Sequence, residues 1–356
     1  MTVLYLAALL GIGIAASLVH WLSRRARNWH DQHTPPRSLQ SMTLRLLLLS
    51  AGLGMYLLAW SLLFPALLFA FLQLHPLPTS LLSREIFTLF VLTLGSFSLP
   101  VLHVLALVTR HLERRPLVSL GLPLGRDIFK GVLQGAAFWT LVISLLVGLS
   151  LPWWDAYFES TWNPRPLTPQ TVVWIFLLVI GWFGVAFWEE LVFRGYMLQT
   201  FLPFLGPARS ILVSALSFSS LHVVTYGISW VILLPFLLGI LLATLYLKTR
   251  SLWVPIGVHC ANNFLVMHIL PSPYATSMKF PLITVNGEPL ELEPLQLLFQ
   301  VRSAQDVFAS PPIEILLFSL SLYLGLSWLI WKLPWFRPHP EMEALWQQYV
   351  QPRGRG

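Results

Sequence analysis

Two adjacent carboxylates, Glu189 and Glu190, and a cation four residues further on, Arg194, interrupt an otherwise hydrocarbon stretch running from Val172 to Gly195. Two later apolar segments each carry a histidine, His222 and His259, the second followed at four residues by Asn263. A charge at mid-bilayer costs from about 3 to above 10 kcal/mol, depending on the scale, so these groups need a compensating use. The residue types suit hydrolytic chemistry. A carboxylate out of water beside a second acid can serve as a general base near neutral pH. An Asn amide and an imidazole N–H aimed at one point stabilise a tetrahedral intermediate, by about 3 to 4 kcal/mol per donor. Two histidines and a glutamate also match the ligand set of a catalytic zinc with one open position.

Helical spacing sorts these groups. Glu190 and Arg194 fall on one face with the acid on the N-terminal side, the better order for a pair, while Glu189 points about 100° away. One carboxylate is therefore expected to be held by Arg194 and the other to face a different partner. A pair that merely locks the helix explains Glu190 and Arg194 but not the second acid, which adds a like charge. Phe218 and His222, and His259 and Asn263, are likewise four apart and share faces. A lone membrane histidine is commonly a hydrogen-bonded packing residue, and His20, His103 and His268 read that way. The single cysteine, Cys260, reads as a small packing residue and has no partner for an intramolecular disulfide.

The elements that must position these groups are membrane spans. Of 356 residues 56% are apolar and 10% charged, and the mean hydropathy is +0.70, which excludes a water-soluble fold. The net charge of +7 sits in short runs beside apolar segments, so it reports topology rather than a nucleic-acid partner. Nine segments are apolar enough for a span of about 20 residues: roughly 2–22, 46–72, 86–108, 128–151, 171–198, 209–226, 229–247, 252–270 and 313–333. The expected fold is an all-α polytopic bundle. Arg24, Arg25, Arg27, Arg37 and Arg45 fill the first connection, and Arg110, Arg114, Arg115, Arg126 and Lys130 the third. That bias puts the N-terminus outside and the C-terminus in the cytoplasm. The first apolar run has no basic residue before it, so it reads as a retained span.

Two polar connections fall on the outer side. The first, 152–170, begins with the pair Trp153 and Trp154, suited to the headgroup level. In the second, 271–312, Asn286-Gly287 between apolar-rich runs predicts a β-hairpin, with Pro289 confining it to an edge. Near the C-terminus, Glu341 to Val350 is amphipathic and fits either the inner leaflet surface, with Trp346 and Tyr349 among the headgroups, or a solvated helix.

Glu-Glu-Leu-Val-Phe-Arg at 189–194, Phe-Ser-Ser-Leu-His at 218–222 and His-Cys-Ala-Asn-Asn at 259–263 resemble the EExxxR, FxxxH and HxxxN motifs of a known family. It is the CAAX-protease and bacteriocin-processing (CPBP, or Abi) family of intramembrane endopeptidases, which includes the prenyl-protein endopeptidases. Any one motif is weak, but three in order on successive apolar segments are specific. The resemblance covers about 117–270, opening with Ser119-Leu-Gly-Leu122. With 117–270 as the protease core, the apolar and polar segments outside the resemblance form a three-span extension (1–115), an extracytoplasmic loop (271–312) with the predicted hairpin, and a ninth span with basic tail (313–356).

The resemblance implies that Glu189 and Glu190, with His222, activate water for attack on a peptide carbonyl. His259 and Asn263 would support the oxyanion, and Arg194 would orient Glu190. It also implies a membrane protein or hydrophobic peptide as substrate, the lipid bilayer as partner, no nucleic acid, and a bacterial cytoplasmic membrane as location; oligomeric state is not encoded. Zinc on Glu190, His222 and His259 and a glutamate-only mechanism both fit the residues, and no HExxH motif is present to favour the metal. Two other uses of a buried Glu/Arg/His cluster are a transporter or proton relay and a non-catalytic scaffold whose polar groups specify the fold.

Overall fold

The computed structural model describes residues 82–150, 158–223, 232–270, 278–285, 288–292, 295–297, 299–304 and 313–350, with Gly54 and Trp60. Apart from these two residues, the expected spans 2–22 and 46–72 lie outside the described residues, as do Trp153, Trp154 and the turn at Asn286-Gly287.

Backbone amides surrounded by hydrocarbon side chains have no partners but one another, so apolar runs in this chain become helices. They are α1 (Leu82–Ser96), α2 (Ser98–Leu107), α3 (Arg126–Ser150), α4 (Pro169–Glu190), α5 (Gln199–Leu221), α6 (Leu233–Thr249), α7 (Trp253–Phe264), α8 (Ile313–Lys332) and α9 (Pro340–Tyr349). Among the described residues three continuous helical stretches are long and apolar enough to cross a membrane: Phe87–His111, Arg126–Leu146 and Pro169–Leu221; Leu233–Thr249 and Leu317–Lys332 are shorter apolar helices.

The third stretch, 53 residues, would reach about 80 Å at 1.5 Å per residue, far beyond a hydrocarbon core of about 30 Å. It therefore cannot be one rod. Gly206, at φ 72° and ψ 173° between Pro203 and Pro207, breaks it, and the segment beyond the break starts close to the expected sixth span at 209.

Glycine sets the helix contacts that carry the site. A Cβ on Gly95 of α1 would lie 2.5 Å from the Gly181 carbonyl of α4, and Ser98 Oγ donates to the Gly184 carbonyl at 2.8 Å. Likewise a Cβ on Gly135 of α3 would run into the Val254 carbonyl, and one on Gly257 of α7 into that of Val132. Small residues that let backbones touch are the usual means of helix association in lipid.

The Ser119–Leu122 stretch is the hub between these helices. A 3₁₀ turn (Leu117–Leu120) ends at Gly121 with φ 100°, a conformation that favours glycine. Around it Gln199 Nε2 donates to the Ser119 carbonyl at 3.0 Å, Tyr246 Oη to Leu120 at 2.9 Å, the Leu252 amide to Gly121 at 2.7 Å and Trp253 Nε1 to Pro123 at 2.6 Å. Four bonds, from α5, α6, the N-cap of α7 and its first residue, thus converge on residues 119–123.

Extended pairing among the described residues is confined to the two long connections. The hairpin joins β2 (Met278–Val285) to β3 (Glu288–Leu292), with Val285 opposite Glu288 and Pro289 opposite Thr284. The other ribbon was not foreseen: β1 (Phe158–Trp162) pairs antiparallel with β4 (Phe299–Ala304), tying both connections together. Below it His268 Nδ1 donates to the Leu295 carbonyl at 2.8 Å, and its Nε2 accepts from Trp182 Nε1 at 2.9 Å. His268 is thus a hydrogen-bonded packing residue. At the other end α9 packs one face on the bundle through Met342 and Trp346 and leaves Glu341, Ala344, Gln347 and Gln348 exposed. Trp346 is buried against Tyr246, ring centroids 5.8 Å apart, beneath the Arg250 guanidinium at 4.1 Å, and Arg250 Nε meets Glu343 at 3.1 Å.

Candidate active site

The acidic pair ends α4, and the chain then continues as a π-helix from Leu191 to Leu198. Such a segment widens the turn and displaces carbonyls from their usual donors; the Phe193 carbonyl instead accepts from Ser214 Oγ of α5 at 2.9 Å. Arg194, within this segment, is fully buried. Its Nη1 donates to Glu190 Oε1 at 2.8 Å, its Nη2 to the Gly239 carbonyl of α6 at 3.3 Å, and its Cζ lies 4.3 Å from the centre of the Phe218 ring.

His259 comes from α7 and inserts between the two acids. Its Nδ1 is 2.9 Å from Glu190 Oε1 and its Nε2 is 3.5 Å from Glu189 Oε2. Glu189 Oε2 and Glu190 Oε2 are both buried and make no hydrogen bond among the described residues; what differs is that the other oxygen of Glu190 is bonded by Arg194 and His259. So the two neighbouring acids stand in different environments: Glu190 accepts from a guanidinium and an imidazole, while Glu189 keeps an accepting oxygen turned towards the far side of that imidazole.

His222 is set by the end of α5. Its amide donates to the Ser219 carbonyl at 3.0 Å, closing a tighter turn, so the Phe218 carbonyl is bonded by the His222 side chain, Nδ1 to O at 3.1 Å. A carbonyl only accepts, so Nδ1 carries the hydrogen and Nε2 the lone pair. Both imidazoles rest on Phe218, with centroid separations of 4.9 Å for His222 and 5.5 Å for His259. They also line one cavity of about 180 Å³, together with Asn262, Asn263, Leu238 and Tyr323.

The structure therefore brings Glu189, Glu190, Arg194 and His259 into direct contact and sets His222, His259 and Asn263 around one cavity. His259 is the residue shared by the acid cluster and the cavity lining. Sequence reasoning paired the acids with His222 and left His259 to Asn263; the contact of His259 with both acids comes from the glycine-mediated packing of α7. It also missed Asn262, Trp139 and Tyr323, the last from α8. The doubled asparagine at 262–263 was the one available signal.

Charge bookkeeping constrains the cluster, because an unbalanced charge out of water is expensive. Glu190 and Arg194 cancel. Glu189 and His259 cancel when they hold one exchangeable proton between them, on Nε2 or on Oε2, with Nδ1–H donating to Glu190 in either case. Of the residues that the sequence offers to a metal, Glu190 Oε1 and His259 Nδ1 bond each other, and among the described residues no three His, Cys, Asp or Glu side chains are grouped as a metal site.

Residues 171–265 match the model of the Rce1-like family, described as type II CAAX prenyl endopeptidase Rce1-like. That family is one of proteases, and the matched stretch contains all three motifs that carry the resemblance to CAAX proteases. No curated protein and no solved structure matches the chain.

Proposed function

We propose that this protein is an intramembrane endopeptidase that hydrolyses a peptide bond in a membrane-associated protein or hydrophobic peptide. The observation that carries the reading is the buried, unbonded Glu189 Oε2 facing His259 Nε2 at 3.5 Å. That pair holds one proton, and substrate entry fixes where it must sit. With the proton on His259, Glu189 is an anionic base and Nε2–H a donor.

Glu189 takes a proton from water as the water oxygen attacks the peptide carbonyl, with the His222 Nε2 lone pair orienting the second water hydrogen. The oxyanion then accepts from His259 Nε2–H and the Asn263 amide. Collapse breaks the C–N bond, and Glu189 returns its proton to the leaving amine. Glu190, held by Arg194, fixes the Nδ1–H tautomer of His259 and so leaves Nε2 for the reaction. No step passes through a metal.

The Lys and Arg distribution supports nine spans with the catalytic cluster in the inner half of a bacterial cytoplasmic membrane, the N-terminus outside and the tail inside. An apolar cavity beside the cluster suits a tail drawn from the bilayer, and the family match favours CAAX-type processing over a transporter or a scaffold. The test follows membrane-protein termini in cells producing the wild type, Glu189→Ala, His222→Ala or His259→Ala at equal folded amounts. Peptide ends present only with the wild type are expected; identical termini in all four would dispose of the reading.

A further inference from the structure

Asn263 can stabilise an oxyanion only if its NH₂, not its carbonyl oxygen, faces the cavity. The two ends of an amide are nearly the same size, so something must choose between them. The choice is made two side chains away. Trp139 Nε1 of α3 donates to Asn262 Oδ1 at 3.1 Å, and an indole N–H is a donor only, which fixes the oxygen end of Asn262 towards it. The NH₂ of Asn262 then turns to Asn263 Oδ1, at 3.3 Å. With that oxygen engaged, the donor end of Asn263 is the one presented to the cavity that both asparagines line. Trp139 is fully buried, and its ring lies against Tyr323 of α8, centroids 5.9 Å apart, so the donor that starts the series is itself held.

We infer that Trp139 and Asn262 are positioning residues: a Trp139–Asn262–Asn263 relay sets the amide of Asn263 with its donor end towards the scissile carbonyl. The inference rests on the hydrolytic reading above and adds to it two residues, one of them, Trp139, outside the family match. Neither touches the reacting atoms. Their effect passes entirely through Asn263, which distinguishes a relay from general packing.

The discriminating variant is Asn262→Asp. It keeps the shape and the bond from Trp139 but places an oxygen where an NH₂ faced Asn263, so the Asn263 amide turns over and offers its carbonyl to the cavity. The readout is the rate at which Glu189-dependent peptide ends appear in membranes after induction, per amount of folded protein. Asn262→Asp and Asn263→Ala are each expected to slow it about 100-fold, the usual loss of one oxyanion donor, and the double variant should be no slower than Asn263→Ala alone. Independent structural damage would instead multiply. Trp139→Phe, which keeps an aromatic ring at the position but removes the N–H together with the rest of the five-membered ring, should slow the rate about 10-fold in the wild type and leave Asn263→Ala unchanged. Should Asn263→Ala be slow while Asn262→Asp and Trp139→Phe match the wild type, or should their losses multiply with it, the relay is wrong and the hydrolytic site stands. Should no Glu189-dependent end exist, both fall.

Discussion

His259 Nε2 lies 3.5 Å from Glu189 Oε2, a separation at which each atom can still turn to a third group. The other ring nitrogen has no such latitude, being 2.9 Å from Glu190. This asymmetry is the basis for proposing Glu189 as the base and Glu190 as part of the frame.

Glu189→Gln should therefore remove the base while retaining the shape of the site. The expected loss of proteolytic rate is about 10²- to 10⁴-fold, with folded yield little changed, because a neutral amide needs no counter-charge. Measuring both rate and yield for this variant checks the assignment; equal activity would transfer the role of base elsewhere.

Glu190 and Arg194 should behave oppositely. Arg194 is fully buried, and removing one partner of such a pair strands the other, at a cost of about 3 to 5 kcal/mol. Arg194→Met should sharply lower folded yield, and adding Glu190→Gln should restore part of it. Thermal unfolding in detergent measures this, and an Arg194→Met protein as stable as the wild type would contradict it.

Close contact between α3 and α7 should make small residues there irreplaceable, since α7 delivers His259. Gly257→Ala places a methyl group against the Val132 carbonyl. Overpacking costs about 1 to 3 kcal/mol, and activity should fall more than stability as His259 is displaced from the acids. A variant with unaltered melting and rate would argue that the helices separate freely.

Acid should loosen the C-terminal helix. Burial alone would raise the Glu343 carboxyl, but hydrogen bonds from Gln347 and Arg250, with the Arg250 charge, hold it below its ordinary value. A carboxylate lowered by folding contributes stability that is full above its unfolded value and lost as pH falls through the folded one. Docking of α9 should weaken as pH falls from the ordinary glutamate range to below it, by less than about 1 kcal/mol for so exposed a pair. Hydrogen exchange at 340–350 should show the loosening, and Glu343→Gln should show less of it; the same response in both would assign it to another group.

How much of this was legible depended on the range of each contact. The Glu190–Arg194 pair follows from a spacing of four, and the hairpin from Asn286-Gly287 with an adjoining apolar run on each side. The break at Gly206 is written in the flanking prolines. By contrast, the His259 contact with both acids depends on Gly135 and Gly257 letting α3 and α7 touch, and no local pattern announces a contact spanning 69 residues. The same holds for β1 against β4 and for Trp139 reaching Asn262. Trp346 read as an interfacial residue because its partners, Tyr246 and Arg250, lie on a distant helix end. Local chemistry showed which groups were unusual; long-range packing decided which of them meet.

If Glu189 and His259 together drive water across a peptide bond, the oxygen of that water must end in the new carboxylate. Membranes containing the wild type or Glu189→Gln are therefore incubated in ¹⁸O-labelled water, and the C-termini of membrane-protein fragments are sequenced. A set of carboxyl ends that carry ¹⁸O with the wild type and are missing with the variant is expected. The same labelled ends from both proteins, or none from either, would refute the hydrolytic role of the pair.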